Sequence, residues 1–240
     1  MNDLEKLLFE SCKDMNIDIS KSQINQFMLY KKLIIEWNNK INLTAITDDK
    51  DIIQKHFVDS ISILSKINLK EYSNIIDVGT GAGFPGLPIK IMNDDINMTL
   101  LDSLNKRVNF LNEVITNLDL KNINCVHSRA EDLGQNINYR EKYDMCVSRA
   151  VAHLSVLSEY CIPFLKLGGL FISLKGPNVF EELKESKKSI EILGGKVLDI
   201  NNILIPKTDI EHSIILIKKV RHTPIQYPRK AGKITKKPIN

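Results

Sequence analysis

The feature that most constrains this chain is a glycine-rich stretch at residues 75–88, Ile-Ile-Asp-Val-Gly-Thr-Gly-Ala-Gly-Phe-Pro-Gly-Leu-Pro. A short apolar run leads directly into glycines at positions 79, 81 and 83, and an apolar segment follows. Glycine permits positive φ and lets a ligand approach the backbone closely. In open α/β sheets such a turn lies at the carboxyl edge, where ligands bind. The stretch therefore predicts a strand, a ligand-binding turn and the start of a helix.

The same alternation continues along the chain. Short apolar runs separated by helical segments predict strands at residues 74–78, 98–101, 123–126, 143–147 and 170–174. Such alternation indicates crossover connections and a parallel sheet covered on both faces. Two further β-rich runs, 196–205 and 213–220, are joined only by residues 206–211, which is too short for a crossover. We therefore expect an α/β fold with a mostly parallel seven-stranded sheet that ends in an antiparallel edge hairpin.

Helical patterns precede the first strand. Three helices are predicted there, the clearest at residues 20–39, where Ser20 and Gln23 have capping-box spacing, and another at 48–65. We divide the chain into an N-terminal helical extension (1–70) packed on the core, a catalytic domain (71–220) and a basic C-terminal tail (221–240). A helix is also expected at 179–193, before the hairpin.

The composition is that of an ordinary globular protein, with 43% hydrophobic and 26% charged residues. Neither a signal peptide nor a membrane-spanning stretch is recognisable, so we expect a cytoplasmic monomer without membrane contact. The four cysteines are scattered, without ligand spacing. No disulfide framework and no metal site are expected.

The tail carries the positive charge. Its last twenty residues contain six Lys or Arg and no acid, although the net charge of the whole chain is only +4. Such asymmetry suggests a polyanionic partner, with Tyr227 available for stacking. A solvated tail is the alternative, although its position directly after the last strand favours order. The candidate RNA-binding residues are Arg221, Arg229, Lys230, Lys233 and Lys236.

The glycine loop fits two ligands by spacing alone. Gly81 to Gly86 satisfies G-x-G-x-x-G, and Asp102 follows about 20 residues later, as in dinucleotide sites. In those sites the amides of the helix N-terminus bind pyrophosphate. Pro85, expected at the first helical position, and Pro88 each remove one such donor. The prolines therefore favour S-adenosylmethionine, which has no phosphate, over the cofactor of a nucleotide-dependent oxidoreductase.

Two acids near the loop are candidate cofactor contacts. Asp77 could lie near the sulfonium or ammonium of the cofactor, or could cap amides of the loop. Asp102 could accept the ribose hydroxyls or cap the helix that follows it, and these two roles are compatible. After the third predicted strand, residues 127–132 could contact the adenine or could simply begin a helix.

The region after the fourth predicted strand limits which kind of atom can accept the methyl group. Enzymes that methylate exocyclic amines resemble one another in an Asn or Asp followed by Pro-Pro and an aromatic, which residues 146–151 lack, and no cysteine is well placed to attack a base. An acceptor that already has a lone pair, such as purine N7, needs no catalytic nucleophile or base, only positioning. Arg149 could hold guanine O6 or a phosphate, or could form an ion pair that fixes its loop. Lys175 is a further candidate RNA-binding residue at the mouth of the site, or an exposed lysine at a strand end.

Several separated motifs resemble those of the RsmG family, also called GidB, the bacterial 16S rRNA guanine-N7 methyltransferases. The resemblance implies a Rossmann-like S-adenosylmethionine-dependent methyltransferase fold, and a guanosine of 16S rRNA or of the small ribosomal subunit as substrate. By this resemblance Gly79, Phe84, Ala130, Glu131 and Arg149 match cofactor contacts, with Gly81 in the same loop and Asp102 on the ribose. The tail departs from the family pattern at residues 233–235. The matching stretches are 37–38, 42–44, 56–60, 77–86, 128–131, 148–150, 175–176 and 227–230.

A third hypothesis is a regulatory RNA-binding protein that keeps the cofactor fold without turnover. It differs from the methyltransferase hypothesis in one observable. Labelled methyl groups would not reach the RNA.

Overall fold

The computed structural model describes residues 1–149, 152–177 and 179–239, and in this part of the chain helices cover a single sheet. The strands are β1 (Asn74–Val78), β2 (Asn97–Asp102), β3 (Ile123–His127), β4 (Tyr143–Arg149), β5 (Leu165–Lys175), β6 (Gly195–Leu204) and β7 (Glu211–Lys219). The helices are α1 (Asp3–Asp14), α2 (Lys21–Ile41), α3 (49–65), α4 (Gly86–Met92), α5 (Asn105–Asn117), α6 (Ala130–Leu133), α7 (Leu154–Cys161), α8 (Phe180–Ile192) and α9 (Lys233–Lys236).

The sheet has seven strands in the order β3-β2-β1-β4-β5-β7-β6. Strands β1 to β5 pair in parallel, whereas β7 is antiparallel to both of its neighbours, β5 and β6. The predicted α/β class, the mostly parallel sheet and the edge hairpin are therefore confirmed. The main difference is β5, which begins at Leu165 rather than at residue 170 and pairs with β4 across a register shift.

The N-terminal helices share the core of the sheet. Helix α2 begins at Ser20, whose hydroxyl accepts from the Gln23 amide at 3.2 Å, while the Gln23 side chain accepts from the Ser20 amide at 2.8 Å. This is the predicted capping box. Side chains of α2 and α3, among them Phe27, Tyr30 and Phe57, are fully buried in one cluster with β1, β2 and β4. The helices thus bury one face of the sheet.

Helix α3 is irregular in a way that matters for the site. Its middle, Ile52–Val58, is a π-helix, flanked by α-helical turns and followed by a 3₁₀ turn at Ser62–Ser65. Short π-helical segments are often found at functional sites because the wider turn redirects side chains. Here the segment carries His56, and Asp59 follows it directly.

The C-terminal tail is ordered, as its place after the last strand suggested. The Arg140 guanidinium donates to the carbonyls of Thr223 at 2.8 Å, Tyr227 at 2.6 Å and Gly134 at 3.1 Å. Ile234, in α9, is fully buried against the body of the protein. The last residue, Asn240, lies outside the described residues. Among the described helices none is long and apolar enough to cross a membrane.

Candidate active site

Two connected cavities lie at the carboxyl ends of β1, β2 and β3, beside the point where the strand order reverses between β1 and β4. Open α/β sheets bind ligands at this point. The glycine-loop cavity, of about 430 Å³, is lined by Leu43, Thr44, His56, Gly79, Thr80, Gly81, Ala82, Phe84, Asp102, Ser103, Arg107 and Arg149. The β3 cavity, of about 150 Å³, is lined by Val78, Gly79, Leu101, Asp102, Ser103, Ser128, Arg129, Ala130, Glu131 and Tyr160. Because the two share Gly79, Asp102 and Ser103, they are adjacent, and we refer to the pair as the trough.

The first turn of helix α4 offers no free amide to a ligand. The Gly86 amide donates to Oδ2 of Asp77 at 2.8 Å, and the Leu87 amide donates to the Gly83 carbonyl at 2.8 Å. Pro88 has no amide hydrogen at all. A pyrophosphate at a helix N-terminus needs such donors, so the loop cannot act as a dinucleotide cradle.

Pro85 differs from its expected place by one position. It is the N-cap of α4 rather than the first helical residue, which is Gly86. The first helical amide therefore belongs to Gly86, and it already donates to the carboxylate of Asp77. A phosphate at this helix end is disfavoured for that reason.

Asp77 lies beneath the loop, not in the wall of either cavity. Its side chain is 0% exposed, and Oδ2 accepts from the Thr80 hydroxyl at 2.6 Å as well as from the Gly86 amide. Burial raises the pKa of Asp77 to about 7. These contacts are those of the capping alternative, whereas Oδ1 is buried without a hydrogen-bond partner in the described residues, and a contact between Asp77 and the charge of the cofactor stays a prediction.

Asp102 ends β2 at the junction of the two cavities. Its Oδ2 accepts from the Gly81 amide at 2.9 Å and lies 3.4 Å from the Arg107 guanidinium, while Oδ1 accepts from the Leu104 amide at 2.9 Å. It therefore holds the turn before α5, whose N-cap residue is Leu104, and ties the glycine loop to β2. Gly81 has a φ of +61°, and a Cβ there would meet no protein atom within 4 Å, so this side of the loop is open to a ligand.

The far end of the trough contains the two residues predicted near the adenine. Ala130 and Glu131 begin α6 and line the β3 cavity. The Glu131 side chain is almost fully buried and lies 3.8 Å from the Arg129 guanidinium, which is mostly exposed. Glu131 is therefore a fixed acceptor at the closed end of the trough.

A third cavity adjoins the trough on the side of β4 and β5. This histidine cavity, of about 360 Å³, is lined by Ile46, Lys55, His56, Asp59, Arg149, Leu174, Lys175, Gly176, Ile210 and His212. It shares His56 and Arg149 with the glycine-loop cavity. These two side chains therefore stand between the trough and a second space that a reactant could enter.

Arg149 is held by three groups from α3. One terminal nitrogen donates to the Lys55 carbonyl at 3.1 Å and to Oδ2 of Asp59 at 2.9 Å, and the other donates to Nδ1 of His56 at 3.0 Å. The guanidinium also lies 4.7 Å from the centre of the Phe84 ring. Arg149 thus forms the ion pair that was one of its predicted roles, with Asp59 as the partner. Of the five guanidinium N–H groups, Nε–H and one terminal N–H have no acceptor in the described part of the chain.

His56 is neutral in this arrangement. An arginine can only donate, so Nδ1 of His56 must accept from Arg149, and Nε2–H donates to the Thr44 hydroxyl at 2.9 Å. Burial, together with the charge of Arg149, lowers the pKa of His56 to about 3. Its ring stacks on Phe84, with centres 4.4 Å apart. Because both ring nitrogens are engaged, His56 is a support for Arg149 rather than a free base.

Asp59 joins Arg149 to a residue from the edge hairpin. Its side chain is 1% exposed, and Oδ1 accepts from Nδ1 of His212 at 2.5 Å while Oδ2 holds Arg149. The hydrogen bond with Asp59 raises the pKa of His212 above its usual value. A continuous series of polar contacts therefore crosses the boundary between the cavities, through Thr44, His56, Arg149, Asp59 and His212.

Two of the predicted RNA-binding residues are internal. Lys175 lines the histidine cavity, but its ammonium bonds to the Ala152 carbonyl and to Glu182 at 2.7 Å, and its side chain is only 9% exposed. Arg229 forms a bidentate pair with the fully buried Glu159. Direct RNA binding is therefore corrected for Arg229, and the expectation of an exposed lysine at position 175 is also wrong.

The remaining tail cations are at the surface. Arg221 is exposed, although one terminal nitrogen donates to the Glu191 carbonyl at 2.6 Å. Lys230, Lys233 and Lys236 are exposed on and beside α9. These four side chains remain available to a polyanion.

Among the residues at the cavities without a predicted role from the sequence are four members of this polar series: Thr44, His56, Asp59 and His212. The first three lie in stretches that resemble the family, but those stretches assign them no role. A usable signal existed for two of them. His56 and Asp59, three positions apart, interrupt the apolar stripe of a buried helix, and buried polar groups require partners. His212 has no comparable local signal. Ala150, in the matched stretch 148–150, lies outside the described residues.

None of the four cysteines lines any of the three cavities. Cys12, Cys146 and Cys161 are buried, and Cys125 is partly buried. Burial raises the pKa of Cys12 and of Cys125 to about 12, so both are thiols. Within the described residues, no cluster of His, Cys, Asp and Glu could hold a metal ion.

Comparison with known proteins gives consistent matches over nearly the whole chain. Residues 23–211 match the family model described as GidB: rRNA small subunit methyltransferase G. The chain is 58% identical to Ribosomal RNA small subunit methyltransferase G of Clostridium botulinum (strain 657 / Type Ba4) over 97% of this chain and 98% of that protein. It is 52% identical to the protein of the same name from Clostridium tetani (strain Massachusetts / E88), with the same coverage.

Solved structures share the fold. TrmN from Thermus thermophilus matches with a TM-score of 0.51 and 14% identity, covering 70% of this chain and 53% of that one. M. jannaschii TYW2, solved in complex with AdoMet, matches with a TM-score of 0.50 and 16% identity, covering 62% and 70%. At such identities the likeness concerns the fold alone.

Proposed function

Because the chain belongs to the GidB family of rRNA small subunit methyltransferases, we propose that it transfers a methyl group to N7 of a guanosine in 16S rRNA. It is a methyltransferase of the Rossmann-like class, and its cofactor is S-adenosylmethionine. The observation that carries the choice of acceptor is the boundary between the glycine-loop cavity and the histidine cavity. The two side chains that both cavities share are His56, whose ring nitrogens are both engaged, and Arg149, which can only donate, and no cysteine lines either cavity.

The trough suits S-adenosylmethionine in its chemistry. The first turn of α4 has no free amide for a phosphate, and Gly81 leaves open space beside the loop. Asp102, at the middle of the trough, has carboxylate oxygens that can accept the two ribose hydroxyls. Ala130 and Glu131 would meet the adenine, and Gly79 with Phe84 would flank the amino-acid end. This arrangement would bring the methyl group near Arg149.

The acceptor must already possess a lone pair. His56 cannot remove a proton, since its Nδ1 accepts from Arg149 and its pKa is lowered to about 3. No cysteine reaches the cavities, so covalent attack on a base is also unsupported. Guanine N7 needs neither a base nor a nucleophile. Alignment of N7 with the methyl group then supplies catalysis mainly by positioning.

Bound S-adenosylmethionine supplies an electrophilic methyl on its sulfonium, so the N7 lone pair forms the new bond while sulfur keeps the electrons of the broken one. Arg149 orients the acceptor with its Nε–H and its remaining terminal N–H. The ring of Phe84 packs against the guanidinium, whose central carbon lies 4.7 Å from the ring centre. Asp59 and His56 fix the direction of that guanidinium, so the residue is preorganised before the base arrives.

The exposed cations of the tail are proposed to bind the phosphates of the RNA. Lys230, Lys233, Lys236 and Arg221 are at the surface, and the salt-dependent affinity of such contacts is additive in first approximation. Lys175, although paired with Glu182, lines the histidine cavity and is proposed to face the entering nucleotide. The substrate is either free 16S rRNA or the assembling small subunit, and we expect the enzyme to act as a cytoplasmic monomer. The division of the chain after residues 70 and 220 stays a prediction.

The test combines the purified protein, methyl-labelled S-adenosylmethionine, and small subunits or 16S rRNA from a strain that lacks the gene. Nucleoside digestion and mass spectrometry should find one 7-methylguanosine that is absent without enzyme. Label in another nucleoside would reject N7 as the acceptor. Absence of label, with tight binding of S-adenosylhomocysteine and RNA, would leave a regulatory RNA-binding protein. Binding of a nicotinamide cofactor instead would revive the oxidoreductase hypothesis.

A further inference from the structure

We propose that His212 reads the acceptor base: its protonated imidazole donates a hydrogen bond from Nε2–H to O6 of the target guanine, beside Arg149, and so selects guanine over adenine. This proposal rests on the function proposed above and deepens it. It gives a specificity-determining role to a residue of the edge hairpin that neither the sequence motifs nor the cofactor site involves.

The geometry fixes one side of the imidazole and leaves the other side open. Nδ1 of His212 lies 2.5 Å from Oδ1 of Asp59, and a carboxylate can only accept, so Nδ1 carries a hydrogen. Within the described residues Nε2 makes no hydrogen bond, and the ring lines the histidine cavity. The side chain is 29% exposed, so it is neither a core residue nor a freely rotating surface residue. That cavity shares His56 and Arg149 with the glycine-loop cavity.

Asp59 couples this histidine to Arg149. The carboxylate holds His212 with one oxygen and Arg149 with the other, at 2.5 and 2.9 Å. Both side chains therefore line the histidine cavity together with Asp59, which holds each of them by one oxygen. Guanine O6 has two lone pairs and can accept from both. Two fixed donors define the plane of the base better than Arg149 alone.

The pattern of the purine edge explains the selectivity. Next to N7, guanine presents the acceptor O6, whereas adenine presents an amino group that can only donate. Two N–H donors therefore meet an acceptor in guanine and another donor in adenine. An unsatisfied buried donor costs more than the absence of a favourable interaction, so adenine is rejected and not merely bound less well.

The role also predicts a dependence on pH. Nε2 donates when the imidazole is protonated, and the hydrogen bond with Asp59 raises the pKa of His212 above its usual value. The charged groups around it are Asp59 and Lys55 on α3, Arg149 on β4 and Lys175 on β5, while His56 is neutral with a pKa of about 3. The value of kcat/KM should therefore be constant at lower pH and fall as pH rises through the pKa of His212.

Two matched variants separate the two ring nitrogens. In His212→Asn the side-chain amide can replace Nδ1–H towards Asp59 but has nothing at the place of Nε2. In His212→Gln the amide reaches the place of Nε2 and is a neutral donor there. We expect His212→Asn to lower kcat/KM roughly 10- to 100-fold, the effect of removing a hydrogen bond to a charged group. His212→Gln should retain more activity and lose the fall at high pH.

The decisive measurement pairs each enzyme with two substrates. Small subunits are reconstituted with 16S rRNA carrying either guanosine or 2-aminopurine, which lacks O6, at the target position. Wild type should lose activity on 2-aminopurine, and His212→Asn should show little further loss on that substrate. Binding of S-adenosylhomocysteine, measured by calorimetry, should be the same in both proteins.

The outcomes are distinguishable. If His212→Asn lowers activity by the same factor on both substrates, the histidine acts only through the scaffold and the proposal is overturned. An unchanged pH profile in His212→Gln would overturn it as well. If wild type does not methylate the guanosine substrate at all, the proposed function fails, whatever the role of His212.

Discussion

The pair formed by Arg229 and Glu159 allows a sharp test of what the basic tail does. Glu159 is 0% exposed. Arg229 bonds to it with Nε at 2.9 Å and with a terminal nitrogen at 2.6 Å, and the Arg229 amide donates to the same carboxylate at 2.7 Å. Arg229→Met removes the guanidinium but leaves the carboxylate buried. Removing one partner of a buried ion pair costs about 3–5 kcal/mol, so we expect a decrease of that size in the free energy of unfolding.

A second substitution separates the charge from the contacts. In Arg229→Met/Glu159→Gln the buried group is neutral and can still accept from the amide of residue 229. The double variant should recover most of the stability, with a residual cost of about 1–2 kcal/mol, because no unpaired charge remains inside. Both values come from urea denaturation of the full chain, monitored by far-ultraviolet circular dichroism. The coupling between the two positions is read from the complete double-mutant cycle.

RNA binding provides the opposing control. Replacing Lys230, Lys233 and Lys236 with alanine should leave the unfolding free energy within about 0.5 kcal/mol. The slope of log K against log salt for 16S rRNA should fall by about 2, since each phosphate that is no longer neutralised lowers it by roughly 0.7. If Arg229→Met instead kept full stability and lowered this slope, Arg229 would bind RNA directly and the structural reasoning would be refuted.

Three further variants test the site. A protein with all four cysteines replaced by alanine should retain methylation activity within about tenfold, and loss of its turnover with folding and cofactor binding intact would contradict catalysis by positioning. Gly79→Val, in contrast, should abolish cofactor binding. Asp77, whose pKa is raised from 3.8 to about 7, favours folding most below pH 4, and this contribution of up to about 4 kcal/mol is lost as pH rises through 7. Asp77→Asn should therefore be less sensitive to pH between 5 and 8 in urea denaturation than wild type, and equal slopes would count against the buried cap.

The fold was largely predictable because its signals are local. Strand β1 and the capping box at Ser20 were predicted with their observed residues, since apolar runs and cap residues act over a few positions. The short link between the last two strands excluded a crossover and so predicted the hairpin. The length of β5 was missed because its first residues, Leu165 to Gly169, read as a glycine turn and form strand only by pairing with the chain near Tyr143.

The site was predictable only where one element contains it. The glycine loop and Asp102 follow from spacing, whereas Asp59, Arg149 and His212 meet from 90 and 153 positions apart. No local sequence pattern indicates which acid will form an ion pair with a cation far away along the chain. The same reason explains Arg229. The composition of the tail suggests an external partner for this charge, but Glu159, a buried acid on α7, forms the ion pair with it.

Strand β7 runs against its neighbours, so its first residues lie at the edge where β4 and β5 end. In the arrangement proposed above, the acceptor side can therefore change without a change at the cofactor side. A change in the length of the turn at 205–210, or a shift of one residue in the register of β7, would turn position 212 to the other face of the sheet. The cofactor loop and Asp102 belong to the opposite half of the sheet and would keep their places. The hairpin is accordingly the first segment to exchange when redesigning which base is methylated.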